Sequence, residues 1–451
     1  MSNFTDNIAK GFKAVLPGPF AIAVLLTFFT FLVAILFGNT KSVGFFSQLL
    51  EITNYWANGL WEPPLLVFAV QMMLILVLGH VIALSLPANR LIVWVCGKAN
   101  NNAEAAALIS FFTIMVSFLN WGLGLVFGAV FARVMMQKAA QSKMPINYPL
   151  LGAAGYSGMM VWHGGISGSA PLKVAEKGHF LEEVIGTISL SNTVFSYSNI
   201  LLSVFLLFVI PAFIYFLGKK VKTEIPKQAD EKQEKSLLLN VSGAEKLNYS
   251  KLFNYLFILL FALYIVAIVR ENNGFSLSVI TPNFINFLLL AIALGFHGNI
   301  ASFLKALDQA ISGASGILIQ FPLYFGIMAI MKNTELAAMT AQFFVDNANE
   351  NNFYFFTFLS GGIINVLIPS GGGQWAIQGS IIAEASNAFA LPIEKSIMAF
   401  AYGDQLTNML QPFWALPLLG ITKLDAKDIL PFSLLLCVLG FVIFGVLVLV
   451  F

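Results

Sequence analysis

The chain has 451 residues, of which 58% are hydrophobic and only 10% are Asp, Glu, Lys or Arg, with a formal net charge of +2. Soluble domains carry about 25% charged residues, so this composition and a mean hydropathy of +0.83 exclude a soluble fold. The chain reads as an integral membrane protein with no basic surface for nucleic acid. Cys96 and Cys437 lie far apart in apolar regions, which excludes a disulfide framework and a thiolate metal site. The four histidines show no HxxH or HExxH spacing for zinc.

A hydrocarbon core of about 30 Å takes ~20 apolar residues per helix, leaving room for roughly ten crossings. Phe20–Phe37 reads as the first span. Lys10 and Lys13 precede it, but its length and the lack of an A-x-A exit make it a retained helix. Pro64–Leu86, carrying Gln71 and His80 and stopped by Pro87, is the second. Ala103–Ala140 is too long for one crossing and is interrupted at Asn120-Trp121-Gly122-Leu123-Gly124. It reads as a first hairpin, with a single long tilted helix as the alternative. Tyr148–Val174 is a span broken in its second half by WHGGISGSAP, and Ile185–Leu217 is a long span with a polar first half.

Lys219–Lys251, rich in Lys and Glu, reads as a charged cytoplasmic linker. Leu252–Val269, Val279–Phe296 and Ile311–Met331 follow as spans. Phe353–Ala390 is a second hairpin, interrupted at Pro369-Ser370-Gly371-Gly372-Gly373-Gln374. Pro lacks the helix donor and Gly is entropically costly in a helix. Deep in a membrane such a break is tolerated only where protein or water satisfies the freed backbone. Ile393–Leu419, broken at GDQLTNMLQP, and Leu430–Phe451 complete the chain. The expected fold is all-α and polytopic, with nine crossings, two re-entrant hairpins and two broken transmembrane helices.

The two halves resemble each other. Phe111-Phe112-Thr113 and Phe355-Phe356-Thr357 open the hairpins 244 residues apart, while Tyr156 with Tyr402, and Pro171-Leu172 with Pro417-Leu418, lie 246 apart. Spans one and two answer to Val279–Phe296 and Ile311–Met331, leaving Leu252–Val269 as an extra crossing. The division is then 1–218 as a first membrane repeat, 219–251 as linker, and 252–451 as the extra crossing plus a second, inverted repeat. Inverted repeats with broken helices are the architecture of many secondary transporters. With the N-terminus in the cytoplasm, only Lys41, Lys173, Lys177, Arg270, Lys332 and Lys395 of the 24 Lys and Arg fall outside. The positive-inside rule favours that orientation.

A carrier site needs a few directed donors and a small apolar pocket. The helix after each hairpin tip presents its free N–H groups and positive dipole end there. Gly371, Gly372 and Gly373 let backbone approach a solute, and Ser370 and Gln374 add donors, although glycines that merely make the turn are the rival reading. Asn120, Gly122 and Gly124 at the first tip, and Ser167 and Ser169 in the first broken span, compete with close helix packing through small residues. Asp404, a carboxylate inside a broken span, is a functional candidate by default. It carries a proton, or joins Thr407, Asn408, Asn365 and carbonyls around Na⁺. His80 and His163 read as structural groups rather than relays. Enzyme motifs fail: GGISGS is not G-x-S-x-G, and PSGGGQW lacks the Lys-Ser/Thr of a P-loop.

The strings VWHGGISGSAPL, VLIPSGGGQWAIQG and YGDQLTNMLQPFWALPLLGI resemble the bacterial short-chain fatty acid transporter family. The likeness runs nearly the whole length, including NGLW…QMMLILVLGHVIA and GILIQFPLYFGIM. The resemblance implies movement of small monocarboxylates such as butyrate or acetoacetate across the bacterial inner membrane. It also implies kinship with the ion transporter superfamily, from which a homodimer would follow; Asp404 and its neighbours suggest Na⁺ or H⁺ as coupling ion, with no other cofactor. The family often has Gly where this chain has His163 and Glu where it has Asp404; the second departure keeps a carboxylate. Carriage of other small organic anions (dicarboxylates, lactate, amino acids) is the alternative, with an anion channel behind it. The shortage of cationic side chains within the spans speaks against a doubly charged solute.

Overall fold

The computed structural model describes residues 18–42, 44–179, 181–226, 243–271 and 282–450. Lys10 and Lys13, residues 227–242 of the expected linker, and residues 279–281 of the expected span from Val279 lie outside the described residues.

The first half comprises α1 (Pro19–Phe37), α2 (Phe45–Leu60), α3 (Pro63–Leu84), α4 (Leu86–Cys96), α5 (Asn102–Leu119), α6 (Trp121–Ser142), α7 (Tyr148–Tyr156), α8 (Ser169–Ala175), α9 (Glu182–Ile185) and α10 (Tyr197–Gly218). Then come α11 (Lys251–Glu271), α12 (Pro282–His297), α13 (Ile300–Ala310), α14 (Ser315–Asn333), α15 (Leu336–Asp346), α16 (Phe353–Asn365), α17 (Gly371–Ala388), α18 (Ile393–Thr407), α19 (Pro412–Thr422) and α20 (Ala426–Val450). Among the described residues there is no strand, only an isolated bridge between Ile146 and Glu224. Helices α1, α3, α5, α6, α10, α11 and α20 are long and apolar enough to cross a membrane. The fold is all-α and multi-pass.

Both interrupted segments are hairpins. The rings of Phe112 and Phe131, on α5 and α6, are 6.2 Å apart; in one continuous helix that separation would be ~28 Å. A single extended residue, Asn120 (φ −156, ψ 128), makes the reversal, and its side chain accepts from the Leu123 N–H to cap α6. Gly124 lies so close to Ser117 that an added Cβ would be 2.8 Å from its Cα. In the second hairpin Phe353 and Phe389 are 5.4 Å apart, and Ser370 caps α17 by accepting from the Gly373 N–H.

Several expected boundaries move, for local reasons. The second span ends at Leu84, two residues before the expected Leu86: Ser85 caps a new helix, α4, in which Pro87 occupies the first turn, where its missing N–H costs nothing. The polar first half of Ile185–Leu217 is not helical beyond short turns, and α10 begins at Tyr197 behind the cap Ser196. Runs of Ser, Asn and Thr bind their own backbone instead of propagating helix. In the second broken span the helix continues through Thr407, and the irregular stretch is Asn408–Gln411 before Pro412 opens α19. Helix α12 ends at His297, one residue past the expected Phe296, and then meets α13 at 119°, turning at Gly298 in a left-handed conformation (φ +73).

Helix partnerships cross between the halves. Helix α3 packs on α12 and α13, while α14 packs on α1 and α2; α6 packs on α19, while α17 packs on α8. Each pair becomes its counterpart when the helices are exchanged by the repeat correspondence. The α2–α14 contact is backbone-close, since a Cβ on Gly59 would be 2.4 Å from that of Ala329. Two tyrosines at equivalent positions tie the halves: Tyr156 donates to the Asn408 carbonyl (2.6 Å) and Tyr402 to Asn199 Oδ1 (2.9 Å).

Candidate functional site

A cavity of about 200 Å³ lies where the hairpin tips meet the first broken span. Asn120 and Trp121 come from the first tip, Ser370, Gly371 and Gly372 from the second, and Ser167 and Ser169 from the break. Trp162, Trp414, Phe68 and Leu172 supply apolar wall, and Lys173 and Glu176 the charged part of the rim. Helices α6 and α17 begin at this wall, and Trp414 lies in the first turn of α19. The first N–H groups of a helix have no intrahelical acceptor and carry its positive dipole end, so the starts of α6 and α17 favour an anion in the cavity, with the Trp121, Leu123 and Gly373 N–H groups already taken by Ser167, Asn120 and Ser370.

The apolar wall is a cluster of indoles. Trp121 and Trp414 meet edge to face with ring centroids 4.8 Å apart, and Trp162 lies 5.7 Å from Trp121. Trp162 and Trp414 are 1% and 3% exposed, and neither indole N–H has a protein acceptor. Ser167 accepts from the Trp121 N–H at 3.0 Å, pinning the break to the first tip.

Four candidates from the tips do not line this cavity. Gly122 faces Ile75 in a separate apolar crevice with a volume of about 10 Å³, and Gly124 serves the close packing of α6 on Ser117. Gly373 sits against Ser370 and Met328. Gln374 donates to the Gly361 carbonyl (2.7 Å) and to Gln378, which in turn donates to Ser360, so these glutamines latch α17 to α16. A buried amide must satisfy its polar atoms, and the nearest acceptors are on the other arm of the hairpin.

The second set of candidates lies behind the second tip. His163 Nε2 and Asp404 Oδ1 are 3.1 Å apart, with side chains 0% and 1% exposed. A Cβ added to Gly371 would be 2.5 Å from the His163 ring and 3.3 Å from Asp404 Oδ2. Gly371 is therefore a partition, with the cavity on one side and the His163–Asp404 pair on the other, and only glycine fits. Beside it, the Asn365 amide donates to the Asp404 carbonyl, Thr407 Oγ1 and Asn408 Oδ1 at 2.7, 2.9 and 2.8 Å. Asp404, Thr407, Asn408 and Asn365 are thus one cluster, and Asp404 Oδ2 within it has no protein partner. His163, set aside on sequence grounds as structural, is in direct contact with this carboxylate.

Sequence reasoning missed Lys173, Glu176 and the three tryptophans. A signal existed: Ser169, Leu172, Lys173 and Glu176 recur at the i, i+3, i+4, i+7 spacing of one helix face.

The family profile described as Short chain fatty acid transporter matches residues 1–451. The chain belongs to that family. A protein of Escherichia coli strain K12 is 35% identical over 434 residues, covering 95% of each chain, and one of Haemophilus influenzae is 35% identical over 431 residues, covering 93% of each. Both bear the name of a short-chain fatty acid transporter. Among solved structures, Neisseria gonorrhoeae MtrF, described as illuminating a class of antimetabolite efflux pumps, aligns over 99% of this chain and 97% of its own. The identity is 14% and the TM-score 0.46. Alcanivorax borkumensis YdaH, a transporter of unusual topology, aligns over 95% of this chain and 98% of its own, with 13% identity and a TM-score of 0.45. Family membership makes the chain a multi-pass membrane transport protein and not an enzyme.

Proposed function

We propose that the chain is a secondary active carrier that moves short-chain monocarboxylates of the butyrate and acetoacetate type across the bacterial inner membrane with a coupling cation. The observation that carries this reading is the size and lining of the cavity. Drug-sized ligands take clefts of ~300–1,000 Å³; a cavity of about 200 Å³ suits a solute of a few heavy atoms. Its helix starts and hydroxyls suit one carboxylate, and its indole wall suits a short apolar tail. A dicarboxylate would leave its second charge against tryptophan, which is costly without a partner.

Coupling is assigned to Asp404, Asn365, Thr407 and Asn408. A carboxylate this deep is held at a cost and marks an ion path. Because Gly371 touches both the cavity and the His163–Asp404 pair, cation loading at Asp404 changes the packing beneath the tip that the solute contacts. The exchanged helix partnerships support inverted repeats, with the two hairpins re-entrant from opposite sides and alternating access by interchange of the halves. In the orientation favoured by charge, with the N-terminus cytoplasmic, the Lys173 rim faces outward.

The test is uptake of labelled butyrate into proteoliposomes under an imposed Na⁺ gradient or an imposed pH gradient, for wild type and Asp404→Asn. Accumulation under one gradient, lost in the variant, supports the reading and names the ion. No flux of butyrate under either gradient by the folded protein overturns the substrate class, and gradient-independent flux far above carrier turnover turns the reading to a channel.

A further inference from the structure

Lys173 is the cation of the cavity lining, and the carboxylate that it holds belongs to the chain itself: Nζ of Lys173 lies 2.7 Å from Oε2 of Glu176. Both side chains are about half exposed, at 46% and 51%. Lys173 stands on the face of α8 that also puts Ser169 and Leu172 on the cavity, and Glu176 lines the same cavity from just beyond the helix. Glu176 follows the last residue of α8 in extended backbone (φ −79, ψ 141), outside the helical ladder. An exposed ion pair of this kind is weak, because water and salt screen it and two long side chains lose freedom in making it.

We infer that Lys173 takes the carboxylate of the transported monocarboxylate, and that Glu176 is a built-in competitor that occupies Lys173 when no solute is bound. The inference rests on the substrate class proposed above. The chemistry is an exchange of like for like: the solute's carboxylate replaces the Glu176 carboxylate on one ammonium group, and Glu176 turns to water. A weak internal pair is what such an exchange requires, since a buried and fully bonded one would cost too much to open. Trp162 and Trp414 line the same cavity, and their indole N–H groups are buried without a protein acceptor beside it.

The device has a kinetic consequence. Competition for Lys173 sets KM without entering the conformational step, so removing the competitor lowers KM, and removing the cation raises it. The experiment is butyrate uptake by full-length protein in proteoliposomes, with KM and kcat measured for wild type, Glu176→Gln, Lys173→Met, Lys173→Arg and the double variant Lys173→Met/Glu176→Gln. Glu176→Gln should lower KM about threefold, the scale of one exposed ion pair, with kcat unchanged. Lys173→Met should raise KM about tenfold, the scale of a charge-assisted hydrogen bond, and Lys173→Arg should restore most of it. The double variant should match Lys173→Met, because Glu176 acts only through Lys173. Butyramide, which keeps the shape and lacks the charge, should inhibit wild type and Lys173→Met equally. An unchanged KM in Glu176→Gln, or additive effects in the double variant, overturns the competitor. Wild-type KM in Lys173→Met overturns the head-group assignment while leaving the carrier intact. Absence of butyrate flux in wild type overturns the substrate class, and this inference with it.

Discussion

The two hairpin tips do similar geometric jobs with different chemistry. The first turns on one residue, Asn120, whose side chain caps α6, and its neighbours are aromatic: Trp121, with Trp162 and Trp414 around it. The second turns over five residues, 366–370, and rests on the His163–Asp404 pair and the Asn365 amide cluster. The first tip presents a wall to the cavity, whereas the second presents backbone on one side and a buried carboxylate on the other. In the proposed function the first tip gives the solute an apolar wall, and the second serves solute and ion together, because Gly371 lies both on the cavity and against the His163–Asp404 pair. Two hairpins of like geometry are thus made unequal by the side chains around their tips.

If that division is right, damage to the second tip should disturb coupling and damage to the first should disturb selectivity or stability. The largest effect is expected from Asp404→Asn, which removes a charge-assisted hydrogen bond of ~1.5–3 kcal/mol, about 10- to 100-fold in gradient-driven uptake. Retained dependence on the imposed gradient in that variant would dissolve the distinction between the tips. Next comes a pair on adjacent glycines. Gly371→Ala forces a methyl to 2.5 Å from the His163 ring, whereas the nearest atom to a Cβ on Gly372 is 4.0 Å away. Overpacking of ~1–3 kcal/mol should cut gradient-driven uptake about tenfold or more in the first, whereas the second, which adds a clash-free methyl to the cavity lining, should alter KM and leave the gradient dependence intact. Equal behaviour of the two variants would show that the partition is not what Gly371 provides.

At the aromatic side, Trp414→Ala should open the wall and raise the ratio of hexanoate to butyrate uptake about tenfold, the scale of one or two methylenes in an apolar pocket. Gradient dependence should not change; competition uptake with the two acids measures both. The smallest expected effect is Asn120→Ala, which removes one helix cap worth ~0.5–2 kcal/mol. A thermal melt in detergent should show a shift of a few degrees, with the identity of the coupling ion unaltered.

The legibility of the candidate site follows the same split. Ser370, Gly371, Gly372, Asn120, Ser167 and Ser169 were readable as cavity-facing because each sits at a break that the local sequence announces. Asp404, Asn365, Thr407 and Asn408 were readable as a group because polar side chains gathered in an apolar run are costly to bury and mark a solute or ion path. Gly124 and Gln374 carried the same local signal and serve packing instead, because what faces a residue at a tip is set by another part of the chain. Lys173 escaped because an exposed lysine near the end of a span looks like any topology-setting charge.

The membrane class, the helical composition and the positions of the breaks are local readings of the chain. These follow from hydropathy, from proline's missing donor and from glycine's missing side chain, all properties of a few neighbouring residues. It takes the packed fold to show that Asn120 reverses the chain instead of kinking it, that His163 meets Asp404 across 241 residues of sequence separation, and that three indoles close one wall. Those contacts come from helix packing between halves, where the partner of a residue is chosen by the fold of the whole chain and leaves no mark on its own neighbours.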